Sequence, residues 1–337
     1  MNSKIQNKKI AIIGAGISGI ILARKLSTDN EVIVFDKSRG IGGRMATRRV
    51  GQYNFDHGAQ FFTAKSAEFQ DICQKSKEDN IIVEWNGRFV KIVGNKIDLE
   101  DEQKNKIRYV AKPQMNSLCK YLARDLNILL GQEIESTKFE NQKWSLKTTQ
   151  NEIFNEFDYL FIAIPSHQAV NLIPKDFEHF DIVANIKMSG CFSLMLGFKE
   201  KLALDFDFAL VEKSIIANIS LNSSKPQRPD GFSLLVTSTN EWADDNIEKD
   251  PQIIKEQLIA SLQKIIDFNL NQIEHENIHK WRYANANLRK EQKSLFDRNL
   301  NLGVCGDWLI GGKVENAFLS GIDLYNNVRL SLNITRT

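Results

Sequence analysis

KIAIIGAGISGIILARKLSTDNEVIVFDKSRGIGGR, residues 9–44, decides the fold. Ile10, Ala11, Ile12 and Ile13 form an apolar run of strand length, and Gly14, Gly16 and Gly19 follow in the spacing G-x-G-x-x-G. A helical pattern covers residues 17–26, and the apolar run 31–35 ends at Asp36. Strand, glycine turn, helix, strand and acid, in that order, make a dinucleotide-binding βαβ unit. Gly14 permits the tight turn, and Gly16 lets a pyrophosphate approach the backbone. Gly19 lets the helix pack on the strand. Free N–H groups and the positive end of the helix dipole then face the phosphates. Asp36 can accept hydrogen bonds from a ribose diol and would repel a 2′-phosphate.

The residues after Asp36 narrow the ligand. Gly42-Gly43-Arg44 has the look of the second glycine motif of FAD-binding oxidoreductases, with a guanidinium able to reach back to the pyrophosphate. A second landmark lies near the C-terminus. Residues 300–304 read as a strand ended by Cys305-Gly306-Asp307-Trp308, and residues 314–330 as a helix. Asp307 can take a ribityl hydroxyl, and N–H groups near Val314 and Glu315 can face a pyrimidine oxygen of a flavin. Counted with these as cofactor contacts are Ile17, Ser18, Lys37, Met45, Ala59, Gln60, Ile134 and Ala317. Gln60 is expected to offer its amide to a ring edge.

The chain has 337 residues, with 42% hydrophobic and 26% charged residues, as a globular protein has. Its formal net charge of +2 gives no reason to expect nucleic acid or a membrane surface as partner. The N-terminal lysines and apolar run imitate a signal peptide. The phosphate-turn glycines and the missing small-residue cleavage site argue against one, and no apolar stretch approaches about 18 residues. Cys73, Cys119, Cys191 and Cys305 form no C-x-x-C pair, so reduced thiols in a cytoplasmic protein are expected, without zinc.

Between the landmarks, residues 66–77 read as a helix capped by Ser66, with Ala67, Phe69, Ile72 and Cys73 on its apolar side. Residues 81–85 and 87–93 read as a strand pair, 96–106 as a charged turn and 116–125 as a helix. Strand patterns recur at 127–130, 133–139 and 144–148, and 157–165 reads as one buried strand ending in Pro165. Residues 193–198, 208–211, 215–220 and 232–239 predict a second sheet. Asp250-Pro251 starts a helix to about residue 268, with Ile253, Ile254, Leu258, Leu262 and Ile265 on its buried stripe. His275 and His279 stand four apart, but residues 275–283 look like a strand, and no metal site is expected. His57 is an acid–base candidate whose structural reading is the stronger one.

Residues 35–49 (FDKSRGIGGRMATRR), 56–63 (DHGAQFFT), 111–118 (AKPQMNSL), 162–169 (IAIPSHQA) and 305–321 (CGDWLIGGKVENAFLSG) resemble bacterial renalase-type flavoproteins, within the flavin amine oxidase group. The resemblance implies noncovalent FAD and a fold like p-hydroxybenzoate hydroxylase. That fold is a mixed α/β architecture, with a Rossmann-like FAD domain and a substrate domain on a mostly antiparallel sheet. The expected division is 1–65, 127–170 and 296–337 for FAD, and 66–126 and 171–295 for substrate. The resemblance also implies hydride transfer from isomeric dihydro-NAD(P) to flavin N5, O2 as acceptor and H2O2 as product. No protein acid or base is demanded.

Phe62, Thr237, Trp281, Tyr283 and Trp308 are expected to line the substrate pocket. Thr237 stands where some bacterial renalases place a histidine. An amine oxidase of a small amine and a flavin-binding redox sensor without turnover are the competing functions. The sequence leaves the oligomeric state open.

Overall fold

The computed structural model describes residues 5–94, 96–98, 106–286 and 292–331. It divides into two compact units. One comprises Met1–Gly43, Cys119–Met188 and Ala286–Thr337, and the other Arg44–Leu118 and Ser189–Asn285.

The first unit is built on a six-stranded sheet. Its order is Ser294–Asp297, Leu302–Cys305, Tyr159–Ile162, Lys9–Ile13, Glu31–Asp36, Asn127–Leu130. All neighbours are parallel except the Ser294–Asp297 edge. Ile12 lies between Val34 and Phe161, and all three are fully buried. Near-continuous apolar strands are what a parallel sheet covered by helices requires. The Ile17–Leu26 helix packs on the Val314–Ser331 helix at Gly321, where a Cβ would lie 2.5 Å from both Ile21 Cγ2 and Ser18 O. Ser18 Oγ donates to Ala317 O across the same contact at 2.8 Å.

Residues 157–165 are not one strand. Ile153–Phe157 closes a three-stranded antiparallel sheet with Ile134–Glu140 and Lys143–Thr148, and Tyr159–Ile162 enters the parallel sheet. Asp158 makes the break. Its carboxylate accepts from Lys9 N at 2.9 Å and Lys143 Nζ at 3.0 Å.

The second unit carries the predicted second sheet, seven strands in the order Ile273–Asn285, Ser189–Phe198, Phe232–Ser238, Ile216–Leu221, Phe208–Glu212, Phe89–Val93, Lys96–Asp98. Phe89–Val93 runs parallel to Phe208–Glu212 and does not pair with its expected partner. Ile82–Glu84 pairs instead with Tyr109–Ala111. Arg88 fixes this arrangement, its backbone N–H donating to Asp207 Oδ2 at 2.8 Å and its guanidinium to the same carboxylate. Part of the expected 96–106 turn is thus strand, and residues 99–105 lie outside the described residues.

The Pro251–Leu262 helix covers one sheet face, burying Ile254, Leu258 and Leu262 among Leu194, Leu234 and Val236. Asp250 caps it, accepting from Gln252 N at 2.7 Å. The helix ends six residues before the expected 268, and Ile253 is exposed. The 116–125 helix shortens to Ser117–Leu122, and Ala67 turns to solvent at the start of Ala67–Glu78.

The boundary expected at residue 65 falls at Gly43 for a packing reason. The Arg48–Val50 and Tyr53–Phe55 hairpin sits on the other face of the second sheet, where Tyr53 and Phe55 pack with Met195 and Leu235. A Cβ on Gly197 would lie 2.7 Å from the Tyr53 ring. No helix among the described residues is long and apolar enough to cross a membrane.

Candidate functional site

In the first unit, Gly14 takes φ +110°, and a Cβ there would lie 2.6 Å from Ala163 O. A Cβ on Gly19 would lie 2.0 Å from Gly14 O, so helix and turn touch backbone to backbone. Gly16 is different, because its Cβ position faces open space. It is also the N-cap of Ile17–Leu26, with no side-chain cap and no acid in the first turn. This leaves the helix N-terminus open to an anion. Asp36 spans the turn, Oδ2 accepting from Ala15 N at 2.6 Å and Oδ1 from Ser38 N at 2.7 Å. Each oxygen keeps a lone pair for a ribose hydroxyl. Gly42 N donates to Ala15 O at 3.0 Å, and a Cβ on Gly43 would lie 3.4 Å from Gly16 Cα, so the two glycine turns stack. The uncapped helix end and the open Gly16 cradle fit a dinucleotide pyrophosphate.

Asp36→Ala removes a charged acceptor. FAD binding to apoprotein should weaken by about 1.5–3 kcal/mol. Titration of the two apoproteins with FAD measures this, and equal affinities would exclude Asp36 from the ribose.

Lys37 pairs with Glu133 at 3.3 Å on the surface, and Ile134 is buried beside it in sequence. At the C-terminal landmark, Gly306 N donates to Ser320 Oγ at 2.8 Å. Asp307 and Glu315 are both buried, Glu315 in the first turn of Val314–Ser331. Trp308 does not line a pocket. It is fully buried in the first unit, and its indole N–H donates to Ile164 O at 3.0 Å. Phe62 is buried likewise, against Phe69 and Tyr109. Burial pushes the Cys305 thiol up to about 12, which disfavours the thiolate a thioether link needs. A cleft of about 750 Å³ lies at the other end of the strands, around Lys8, Asp29 and Asp158. It touches none of these groups.

In the second unit, Arg44 O accepts from Ala59 N at 2.9 Å, and a Cβ on Gly58 would lie 1.9 Å from the same oxygen. Met45 is buried beside this lock. The Arg44 guanidinium donates to Ala284 O at 3.0 Å. Gln60 does not offer its amide to a ring. Nε2 donates to Asp56 O at 2.6 Å and Gly58 O at 3.0 Å, and Oε1 accepts from Lys225 Nζ at 3.3 Å. The amide shapes the turn instead.

Behind that turn is a group that the sequence did not reveal. Asp56 Oδ2 accepts from Arg228 at 2.7 Å and from Lys225 at 3.1 Å, and all three side chains are fully buried. Thr47 Oγ1 donates to Asp56 Oδ1 at 2.6 Å. Burial drives Asp56 upward, but the Lys225 and Arg228 charges outweigh it and hold the carboxyl at about 2. Burial lowers Lys225 to about 8, against the pull of Asp56. Lys225 and Arg228 read in sequence as turn residues beside prolines, and nothing local marks them as partners of Asp56.

On the sheet face under the hairpin, Thr237, Ser193 and His279 stand side by side on adjacent strands. His57 stacks on Trp281 at 5.4 Å, and His279 meets both rings edge-on, at 4.8 and 4.3 Å. The His57 carbonyl accepts from Trp281 Nε1 and Ser193 Oγ, each at 2.8 Å. Thr237 Oγ1 is buried without a hydrogen-bond partner. Tyr283 lies two residues further along the Trp281 strand, where the pairing with the Ser189–Phe198 strand shifts register. Desolvation lowers both His57 and His279 to about 4, with the Arg48 charge adding to the effect. Both rings are neutral at pH 7. Among the described residues no His, Cys, Asp and Glu group can hold a metal.

Those shifts set a pH dependence. The unfolded imidazoles titrate near 6.5, so the unfolded chain binds more protons between about 6.5 and 4. Stability is therefore lost as pH falls through that window, and the Asp56 contribution follows as pH falls from about 4 toward 2. His279→Gln should flatten the 6.5-to-4 loss by about 1–2 kcal/mol, allowing for partial exposure. Thermal unfolding of both proteins across this range checks it, and parallel curves would refute it.

Comparison with known proteins agrees with this geometry. Residues 12–76 match the NAD(P)-binding Rossmann-like domain, and residues 92–323 match the flavin containing amine oxidoreductase model. A 77-residue stretch is 34% identical to the 4,4'-diapophytoene desaturase (4,4'-diaponeurosporene-forming) of Staphylococcus aureus (strain Newman). The match covers 22% of this chain and 15% of that enzyme. A crystal structure described as a protoporphyrinogen oxidase, from Exiguobacterium sp. 255-15, superposes with a TM-score of 0.78 at 13% identity. It covers 97% of this chain and 100% of that one. A putrescine oxidase redesigned in its cofactor binding gives 0.70 at 12% identity, over 96% and 99%. Because the second family model takes in more than half of its residues, the chain belongs to the flavin containing amine oxidoreductase family.

Proposed function

We propose that this flavin-dependent oxidoreductase is a renalase-type oxidase. It takes a hydride from a dihydronicotinamide nucleotide reduced at the wrong ring carbon and passes the electrons to O2 with release of H2O2. Bound FAD would supply the hydride acceptor, N5. Gly14, Gly16, Gly19, Asp36, Gly43, Gly306 and Asp307 are the residues assigned to hold it, and the buried Cys305 thiol supports noncovalent attachment.

One observation carries the choice of substrate. The ring cluster of His57, His279 and Trp281 is uncharged, and the Arg48 guanidinium acts on both imidazoles against protonation, opposed at His57 by the Asp56 carboxylate. A small amine is a cation in water, and a neutral wall beside a guanidinium disfavours it. A dihydronicotinamide ring is neutral, flat and attached to phosphates, which Arg48 attracts. Trp281 and Tyr283 would flank the ring, and Thr237 would supply a free hydroxyl. No residue here need move a proton.

The amine oxidase reading keeps the support of the family name. Anaerobic mixing with dihydronicotinamide isomers, then with an amine panel, separates the two. Flavin bleaching by an isomer and by no amine is the expected result. Bleaching by an amine alone would replace the substrate.

A further inference from the structure

Asn218 Oδ1 and Thr237 Oγ1, on neighbouring strands of the second sheet, are both buried without a hydrogen-bond partner among the described residues. The two residues stand opposite each other. Residues so placed in an antiparallel pair hold their Cβ atoms about 4.5–5.5 Å apart, so one small group can reach both. Their row continues through Ser193 to His279 on one side and to Leu210 on the other. Ser193 already spends its hydroxyl on His57 O. Thr237 is 7% exposed, whereas Leu210 is 41% exposed, so the row reaches solvent one strand beyond Asn218. Ser220 Oγ, another unpartnered atom on this face, lies in the next row beside Leu235, which packs against Tyr53 and Phe55. A buried polar atom left unpaired costs stability, and two that face each other call for a shared partner.

The chemistry of the pair selects that partner. Oδ1 only accepts, so it needs an N–H or O–H from the ligand, and the Thr237 hydroxyl has a proton to give. A carboxylate would leave Oδ1 without a donor. An ammonium would offer nothing to accept the hydroxyl proton. A primary carboxamide answers both, its N–H donating to Asn218 and its oxygen accepting from Thr237. We propose that Asn218 and Thr237 form a subsite that reads the carboxamide of the dihydronicotinamide ring, and so fixes how the ring lies beside His57, His279 and Trp281. This subsite deepens the proposed function and rests on it.

The test is titration calorimetry of the oxidised holoenzyme with two neutral probes that give up no hydride. One is tetrahydronicotinamide adenine dinucleotide. The other is its acetylpyridine counterpart, which keeps the carbonyl and loses the N–H donor. The parent should bind the carboxamide about tenfold more tightly than the acetyl form, the effect of one hydrogen bond to a group otherwise left unpaired. Asn218→Leu should bring that ratio to within about twofold of one. Thr237→Val should weaken both probes about tenfold and keep the ratio, and Thr237→Ser should stay within about threefold of the parent. Thr237→Val removes an unpaired hydroxyl at nearly the same shape, so it should melt no lower than the parent. A merely structural Asn218 would move both probes together. A parent ratio near one, or a ratio unchanged in Asn218→Leu, would overturn the proposal and leave the pair to a bridging water. The parent ratio decides alone if a variant fails to fold. Anaerobic bleaching of the parent separates the two levels of failure. Bleaching by a dihydronicotinamide isomer, with a parent ratio near one, would sink the subsite only. Bleaching by no such isomer would sink the functional reading and the subsite with it.

Discussion

Gly19→Val should purify colourless. A Cβ at residue 19 would lie 2.0 Å from Gly14 O and 3.2 Å from Ala163 Cβ. Both obstacles belong to packed strand ends, not to flexible side-chain tips. The Ile17–Leu26 helix would have to withdraw from the strand, and its N-terminus would leave the position from which it meets a pyrophosphate. Overpacking of this kind costs about 1–3 kcal/mol or more in stability. The loss in FAD affinity should be larger, on the order of 100-fold, because helix and turn act on the phosphates together. Gly16→Ala is the informative contrast. Its Cβ meets nothing within 4 Å, so the fold should hold while FAD binding weakens through the lost close approach. Flavin absorbance per polypeptide and thermal unfolding read both variants. A Gly19→Val protein with the parent's flavin content would refute the glycine-turn reading.

The parts of the fold that were legible in sequence are those whose signals are local. The Ile17–Leu26 helix and the Glu31–Asp36 strand follow from glycine placement and apolar periodicity within one short stretch, and the structure ends them where the sequence does. The partner of Phe89–Val93 was not legible. It is Phe208–Glu212, more than a hundred residues away, and the Arg88–Asp207 contact that fixes the register has no local mark. The same limit hid the Asp56–Lys225–Arg228 cluster, assembled across about 170 residues of chain.

Trp308 and Gln60 fail for another reason. Each has the right chemistry for a ligand contact, and each spends it inside the protein, on Ile164 O and on the Asp56 and Gly58 carbonyls. Residue type reports what a side chain can donate, whereas the fold decides to whom. Thr237 is the converse, a hydroxyl that the protein itself leaves unused.

Oxidised holoenzyme mixed anaerobically with 2-dihydro- or 6-dihydronicotinamide nucleotides should bleach at least about 100-fold faster than with the ordinary 4-dihydro form. The sequence holds one G-x-G-x-x-G, and on the proposed assignment it and the stacked second turn at Gly42 and Gly43 serve the flavin nucleotide. No second βαβ fingerprint is left to grip a nicotinamide dinucleotide in the manner of a dehydrogenase. On the proposed function, the substrate ring would be selected by shape against groups of the second sheet that are already fixed. Trp281 is pinned through its N–H to His57 O and stacked on the His57 ring, and Ser193 holds the same carbonyl. A wall held at three points has little freedom to adjust to a differently reduced ring. A displacement of about 1 Å costs on the order of 100-fold in rate, which is the discrimination expected between regioisomers. Stopped-flow absorbance of the flavin gives the rates directly. Fast bleaching by the 4-dihydro form, with little from the others, would make the protein a reductase for ordinary reduced nicotinamide nucleotides. Bleaching confined to primary amines would return it to amine oxidation.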